Sequence, residues 1–92
     1  MIRSFHDQDT ESIFQQRWVR KLQAIAVVAL RKLVQIDSAD ELRDLASPPA
    51  NRLELLKGNR AGQYSIRIND QYRVCFRWKD GHAYDVEIAD YH

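Results

Sequence analysis

The chain has 92 residues, 45% of them hydrophobic and 29% charged, which are ordinary values for one globular domain and argue against disorder or a coiled coil. Its formal net charge is +1, too little for a bulk nucleic-acid coat, and its longest apolar run, Ala24 to Leu30, is far short of the roughly 20 residues of a membrane span. Met1-Ile2-Arg3-Ser4-Phe5-His6-Asp7 shows no apolar stretch behind a basic start, and Cys75 is the single cysteine, so a cytoplasmic domain over residues 1–92 is expected, without secretory signal, internal disulfide or cysteine zinc cage.

Along the chain, Ile2 and Phe5 suggest a short first strand. A helix is expected to start near Asp9 or Thr10, either of which caps it, with Ile13 and Phe14 buried. Arg17 to Lys21 reads as a cationic connection containing Trp18. Leu22, Ile25, Ala26, Ala29, Leu33 and Ile36 then recur on one helical face, with Arg31, Lys32 and Gln35 opposite. Ser38 and Glu41 have the spacing of a capping box, opening a short turn that Pro48-Pro49 ends.

From there the period changes to two. Leu53 to Leu56 is a short apolar run, and Gly58 and Gly62 bracket a turn. Tyr64, Ile66 and Ile68 share one strand face, as do Tyr72, Val74, Phe76 and Trp78, and then Tyr84, Val86 and Ile88. Asn69-Asp70 and Asp80-Gly81 are hairpin signals between these strands. The expected class is therefore α+β, with N-terminal helices packed on one face of a small twisted antiparallel sheet.

The face away from the helices carries the chemistry. Alternation puts Arg67 and Arg73 there on neighbouring strands, and counting on from inward Ile88 makes Ala89 outward, Asp90 inward and Tyr91 outward. Residues 57–79 hold Lys57, Arg60, Arg67, Arg73, Arg77 and Lys79 against Asp70 alone, a net +5, whereas 80–92 carry four carboxylates and no Lys or Arg. Two readings stand. In one, these charges pair across the sheet, Arg73 with Glu87 or Asp85, while Lys57 is a solvated turn lysine, Tyr91 packs on a strand end and His92 is a loose terminus. In the other they form an anion site for a polynucleotide: cations on phosphate, an aromatic ring on a base, Asp90 and His92 moving protons.

Other chemistries lack their residues. His6, His82 and His92 have no metal-ligand spacing, Gly58-Asn59-Arg60-Ala61-Gly62 lacks the lysine-hydroxyl pair of a phosphate loop, and Cys75 sits mid-strand without a histidine neighbour.

The run Leu55-Leu56-Lys57-Gly58-Asn59-Arg60-Ala61-Gly62-Gln63-Tyr64-Ser65-Ile66-Arg67-Ile68-Asn69, the run Tyr72-Arg73-Val74-Cys75-Phe76 and the closing Asp90-Tyr91-His92 resemble the HigB-type (host inhibition of growth) toxins of the RelE superfamily. Met1 to Phe5 and the length fit as well, and Glu41-Leu42-Arg43-Asp44-Leu45 with Pro48-Pro49-Ala50-Asn51-Arg52-Leu53-Glu54 is similar to the GraT-like subgroup.

The resemblance implies a RelE-like fold and a type II toxin: a metal-independent, cofactor-free endoribonuclease that cuts translated mRNA in the ribosomal A site and halts translation and growth. It implies a cognate helix-turn-helix antitoxin encoded alongside, and operator DNA bound only through the joint complex. Carried to matching positions, it makes Lys57, Arg73, Asp90, Tyr91 and His92 catalytic: Lys57 and Arg73 on the scissile phosphate, Tyr91 orienting the nucleotide, Asp90 and His92 transferring protons. Arg60 and Arg67 join Tyr91 in binding RNA. One position departs: several members have histidine three residues before the lysine, where this chain has Glu54, so cleavage is slower or proton transfer passes to His92 or to Glu54 itself. The alternatives are a non-catalytic basic module that docks RNA or an acidic protein, and a fold whose toxicity has decayed.

Overall fold

The computed structural model describes residues 1–91. Helix α1 (Gln8–Phe14) begins where Asp7, in extended conformation, accepts the Thr10 N–H on its carboxylate at 2.7 Å. The cap is thus two or three positions upstream of the expected Asp9 or Thr10. Thr10 is instead buried, its hydroxyl accepting the Ile88 N–H at 2.9 Å, and Asp9 pairs with Lys21 at 2.9 Å. Asp7→Ala removes a partner for one of the helix's unpaired first amides, so stability should fall by about 1 kcal/mol while Asp7→Asn loses much less; urea midpoints measure both.

Helix α2 (Ala26–Ser38) buries Ala29, Leu33 and Ile36 completely. Leu22 and Ile25, expected inside it, lie in a preceding 3-10 turn (Arg20–Leu22) and at the N-cap, yet both are buried, because residues three apart also share a side in a 3-10 turn. Lys32, expected on the solvent side, is 6% exposed and donates to Asn51 Oδ1. The amide of Asn51 donates in turn to Gln35 Oε1 at 3.0 Å and to the Leu45 carbonyl at 3.1 Å, tying α2 to the loop after it. The capping box falls three residues beyond its expected start at Ser38, which is the last residue of α2. Glu41 caps a 3-10 turn (Leu42–Ala46) and Asp44 returns a bond to the Glu41 N–H at 3.0 Å.

Four strands follow: β1 (Glu54–Leu55), β2 (Tyr64–Arg67), β3 (Tyr72–Lys79) and β4 (His82–Asp90), antiparallel and adjacent in chain order. Their inner face supplies Ile66, Val74, Phe76, Ala83 and Val86 to the core shared with both helices, with Tyr64 and Trp78 flanking Phe76 at 6.2 and 6.3 Å between ring centres. Asp80 and Gly81 both take positive φ between paired Lys79 and His82, the two-residue turn their sequence predicts. At the other hairpin the Asn69 side chain accepts the Gln71 and Tyr72 N–H groups.

Tyr84 does not join the inner stripe. The β3–β4 register shifts between Cys75 and Arg77, and Asp85 adopts φ of 53°. That extra residue puts Tyr84 opposite outward Arg77 and Ala83 inward, after which Val86 regains the core. The expected first strand reduces to two isolated parallel bridges, Ile2 with Ala83 and Phe5 with Val86. No helix among the described residues is long and apolar enough to cross a membrane.

Candidate functional site on the outer sheet face

The outer face is not the bare surface that alternation suggests. Leu56, Cys75 and Ala89 form a second buried apolar cluster there, with Tyr91 packed against it. Burial pushes the Cys75 thiol above its ordinary value, the opposite of what a nucleophilic cysteine requires.

Arg73 stands on β3 directly opposite Arg67 of β2 and Ala89 of β4. Its side chain is 12% exposed. Nε donates to the Ser65 hydroxyl at 2.7 Å, and Nη2 donates to the Arg52 carbonyl at 2.7 Å and lies 3.3 Å from Glu54 Oε1. Its carboxylate is therefore Glu54, from the strand on the far side of β2, and not Glu87 or Asp85. Glu87 takes Arg60 at 3.0 Å, and Asp85 lies 3.7 Å from Arg77. The Nη1 group of Arg73 makes no hydrogen bond among the described residues, so a guanidinium held along one edge keeps donors on the other. A cation fixed in this way needs little reorganisation to meet an anion.

Lys57 is exposed and directly follows buried Leu56. Tyr91 packs on the Leu56 cluster, and its N–H donates to the Gln71 carbonyl at 2.6 Å. Arg73, opposite Ala89, and Tyr91 thus border one apolar cluster on one side of the sheet, and Lys57 directly follows its Leu56 in the chain. Glu54, half-exposed, shares that side through its register with Ser65. Arg60 is drawn in by Glu87, whose hydrogen bond raises the guanidinium above its ordinary value, and Arg67 is paired with Asp70. Asp90 pairs with Tyr72, accepts from Gln71 Nε2 at 3.2 Å and lines a cleft of about 450 Å³ with Asp7, Thr10 and Lys21, on the helix-covered side. The structure does not bring it beside Arg73. His92 lies outside the described residues.

Two contributors escaped sequence reading. Ser65 is completely buried and anchors Arg73; its one available signal was its place two residues before Arg67 on the same face. The Arg52 carbonyl is presented by a left-handed residue, φ 47°, which no pattern announces.

A family profile described as HigB-like toxin, RelE-like toxin of the type II toxin-antitoxin system HigB, matches residues 2–92. A protein named Toxin HigB-1 from Vibrio cholerae serotype O1 is 40% identical over 90 residues, 96% of this chain and 95% of that one. A protein named Endoribonuclease HigB from Proteus vulgaris is 31% identical over 93 residues and covers both chains in full. Among solved structures, a chain of the YoeB-YefM complex from Staphylococcus aureus superposes with a TM-score of 0.62, covering 100% of this chain and 98% of that one at 18% identity, a likeness of fold.

Proposed function

The chain belongs to the HigB-like family of RelE-like toxins of type II toxin-antitoxin systems, and from that premise we propose that it is an mRNA endonuclease acting in the ribosomal A site. The observation that carries this reading is a guanidinium oriented by Ser65 and Arg52 beside the apolar cluster on which Tyr91 packs.

In the proposed reaction the ribose 2′-oxygen attacks the adjacent phosphorus as its proton leaves. The P–O5′ bond breaks, and the products are a 2′,3′-cyclic phosphate and a protonated 5′-hydroxyl. Charge accumulates on the phosphate oxygens, where Arg73 and Lys57 act. Glu54 is the carboxylate beside Arg73 and is assigned as the base, and His92 is assigned to return the proton to the leaving oxygen; Asp90, on the other side of the sheet, takes no part in the transfer. Tyr91 stacks on the nucleotide, and Arg60 and Arg67 guide the flanking RNA. The step uses no metal held by the chain. A weak acid-base set is offset if the ribosome supplies substrate already bent for in-line attack, which accords with a net charge of only +1. The partners in this reading are the ribosome and its mRNA in the cytoplasm, and a helix-turn-helix antitoxin through which alone operator DNA is reached.

Induced expression should stop growth, and primer extension should find new 5′ ends inside translated codons that vanish when the start codon is removed. Ends that persist without translation would contradict ribosome dependence. Binding with no new ends would identify the non-catalytic module. Tyr91→Ala should lower cleavage by about 5- to 150-fold, the equivalent of roughly 1–3 kcal/mol of stacking, while Tyr91→Phe, which keeps the ring, stays within a few-fold of wild type; single-codon cleavage rates measure both.

A further inference from the structure

The chemistry at Arg73 leaves unused the corner of the outer face at the other end of β3. The register shift in β4 builds that corner. With Asp85 in the left-handed region at φ 53°, Tyr84 leaves the inner stripe and stands opposite Arg77. A residue other than glycine adopts such a φ at a conformational cost, and the core gives up a ring; bulges that re-aim a side chain in this way occur beside functional sites. A second backbone feature serves the same corner. Gly62, at φ 89°, lies under the Arg77 guanidinium, so close that a Cβ there would stand 2.8 Å from Nη1.

Gly62, Arg77, Trp78, Lys79, Asp80 and Tyr84 line an open cleft of about 600 Å³. Trp78 is anchored from the inner side, edge-on to Phe76. Arg77 and Lys79 are exposed and Tyr84 is half-buried. Arg77 Nε lies 3.7 Å from Asp85, beyond hydrogen-bond reach, and neither that guanidinium, the Lys79 ammonium nor the Tyr84 hydroxyl makes a hydrogen bond among the described residues. An aromatic ring brought out beside two cations with unused donors suits a nucleotide, ring on base and cations on phosphate. The surroundings favour one source of it. Arg73 and Arg77 point to the same side of β3, four residues or about 13 Å apart. Arg60, held by Glu87 in the row of Cys75, stands between them, so three guanidiniums mark one track across the sheet.

We propose that this corner is a second nucleotide subsite for the mRNA: Tyr84 stacks on a base, and Arg77 and Lys79 hold the phosphates beside it. A stacked strand advances about 3.4 Å per nucleotide, so the base lies within about four nucleotides of the bond cut at Arg73. The proposal rests on the endonuclease reading above and extends it from the cleaved linkage to the strand that leads to it. Asp80 and Asp85 offset much of the local charge, so the ring supplies most of the hold.

The test is single-turnover cleavage on programmed ribosomes with the full chain, read as the toxin concentration that gives half the maximal rate and, separately, as the rate at saturation. Tyr84→Ala should raise that concentration by about 5- to 150-fold, the equivalent of one lost stacking contact, with most of the loss there and little in the saturated rate; Tyr84→Phe, which keeps the ring, should restore it. Arg77→Ala with Lys79→Ala should raise it too, and should lessen its log–log dependence on salt by about 1.4, two phosphates at 0.7 each. If urea unfolding shows that Tyr84→Ala does not fold, the exposed double variant decides. Messages with a single abasic nucleotide within four positions of the cleaved bond, outside the P-site codon, identify the base. At one position the loss should match that of Tyr84→Ala and should not add to it. If no position couples with Tyr84, the ring rests on the ribosome and not on the message, and the proposal falls. It falls as well if both variants reach half-maximal rate at the wild-type concentration. Those results leave the endonuclease reading standing; a wild-type chain that cuts no translated message removes both.

Discussion

Replacing Arg73 by alanine is expected to lower codon cleavage by about 10²–10³-fold, the loss typical of removing one preorganised donor from a developing oxyanion. The size follows from how the guanidinium is held. Nε and Nη2 are committed to Ser65 and the Arg52 carbonyl, so the side chain does not have to be ordered when the phosphate arrives. Arg73→Lys should recover only part of the rate, because a compact ammonium lacks the planar fork that meets the two anchors from separate nitrogens and leaves a third facing outward. Ser65→Ala should fall between, since it frees the guanidinium without removing its charge. Single-turnover cleavage of a programmed ribosome measures the rate, and urea unfolding separates lost chemistry from lost fold. An Arg73→Ala protein as toxic as wild type at equal expression would show that the site lies elsewhere.

The second large effect is structural. Asn51→Ala should cost about 3 kcal/mol, because it strips a buried ammonium of its acceptor and leaves the Leu45 carbonyl without its donor. Adding Lys32→Met should restore much of that, since the uncompensated charge is then gone; the coupling is read from a double-mutant cycle in urea. Burial, and then repulsion from Arg31 and Arg67, lowers the Lys32 ammonium below its ordinary 10.5. The folded chain then releases this proton at lower pH than the unfolded chain does. Between the folded value and 10.5 the unfolded state binds more protons, so the wild type should gain stability relative to Lys32→Met as pH rises through that window.

What the chain reveals on inspection is what local periodicity controls. The inner stripe Ile66, Val74, Phe76 and Val86, the Asp80-Gly81 turn and the buried line of α2 depend on neighbours two to four residues away, and all are visible in the letters. Alternation also predicted that Arg73 and Tyr91 share one side and that Asp90 lies on the other, as the registers have it. What stayed hidden depends on distant partners. Lys32 reads as surface until Asn51 arrives from another segment. Tyr84 reads as core until a single extra residue at Asp85 inverts the alternation. Arg73 has Glu87 and Asp85 as its candidates in the sequence, and the placement of β1 beyond β2 gives it Glu54 instead.

The two N-terminal bridges bear on how such a protein is made. Arg3 donates to the Ala83 carbonyl and His6 to that of Val86, so the opening residues are zipped to the final strand. During synthesis those residues are made before β4 and stay without their partners until it has been translated. A chain cut short before β4 therefore has neither the strand that leads to Tyr91 nor a closed core beneath Arg73.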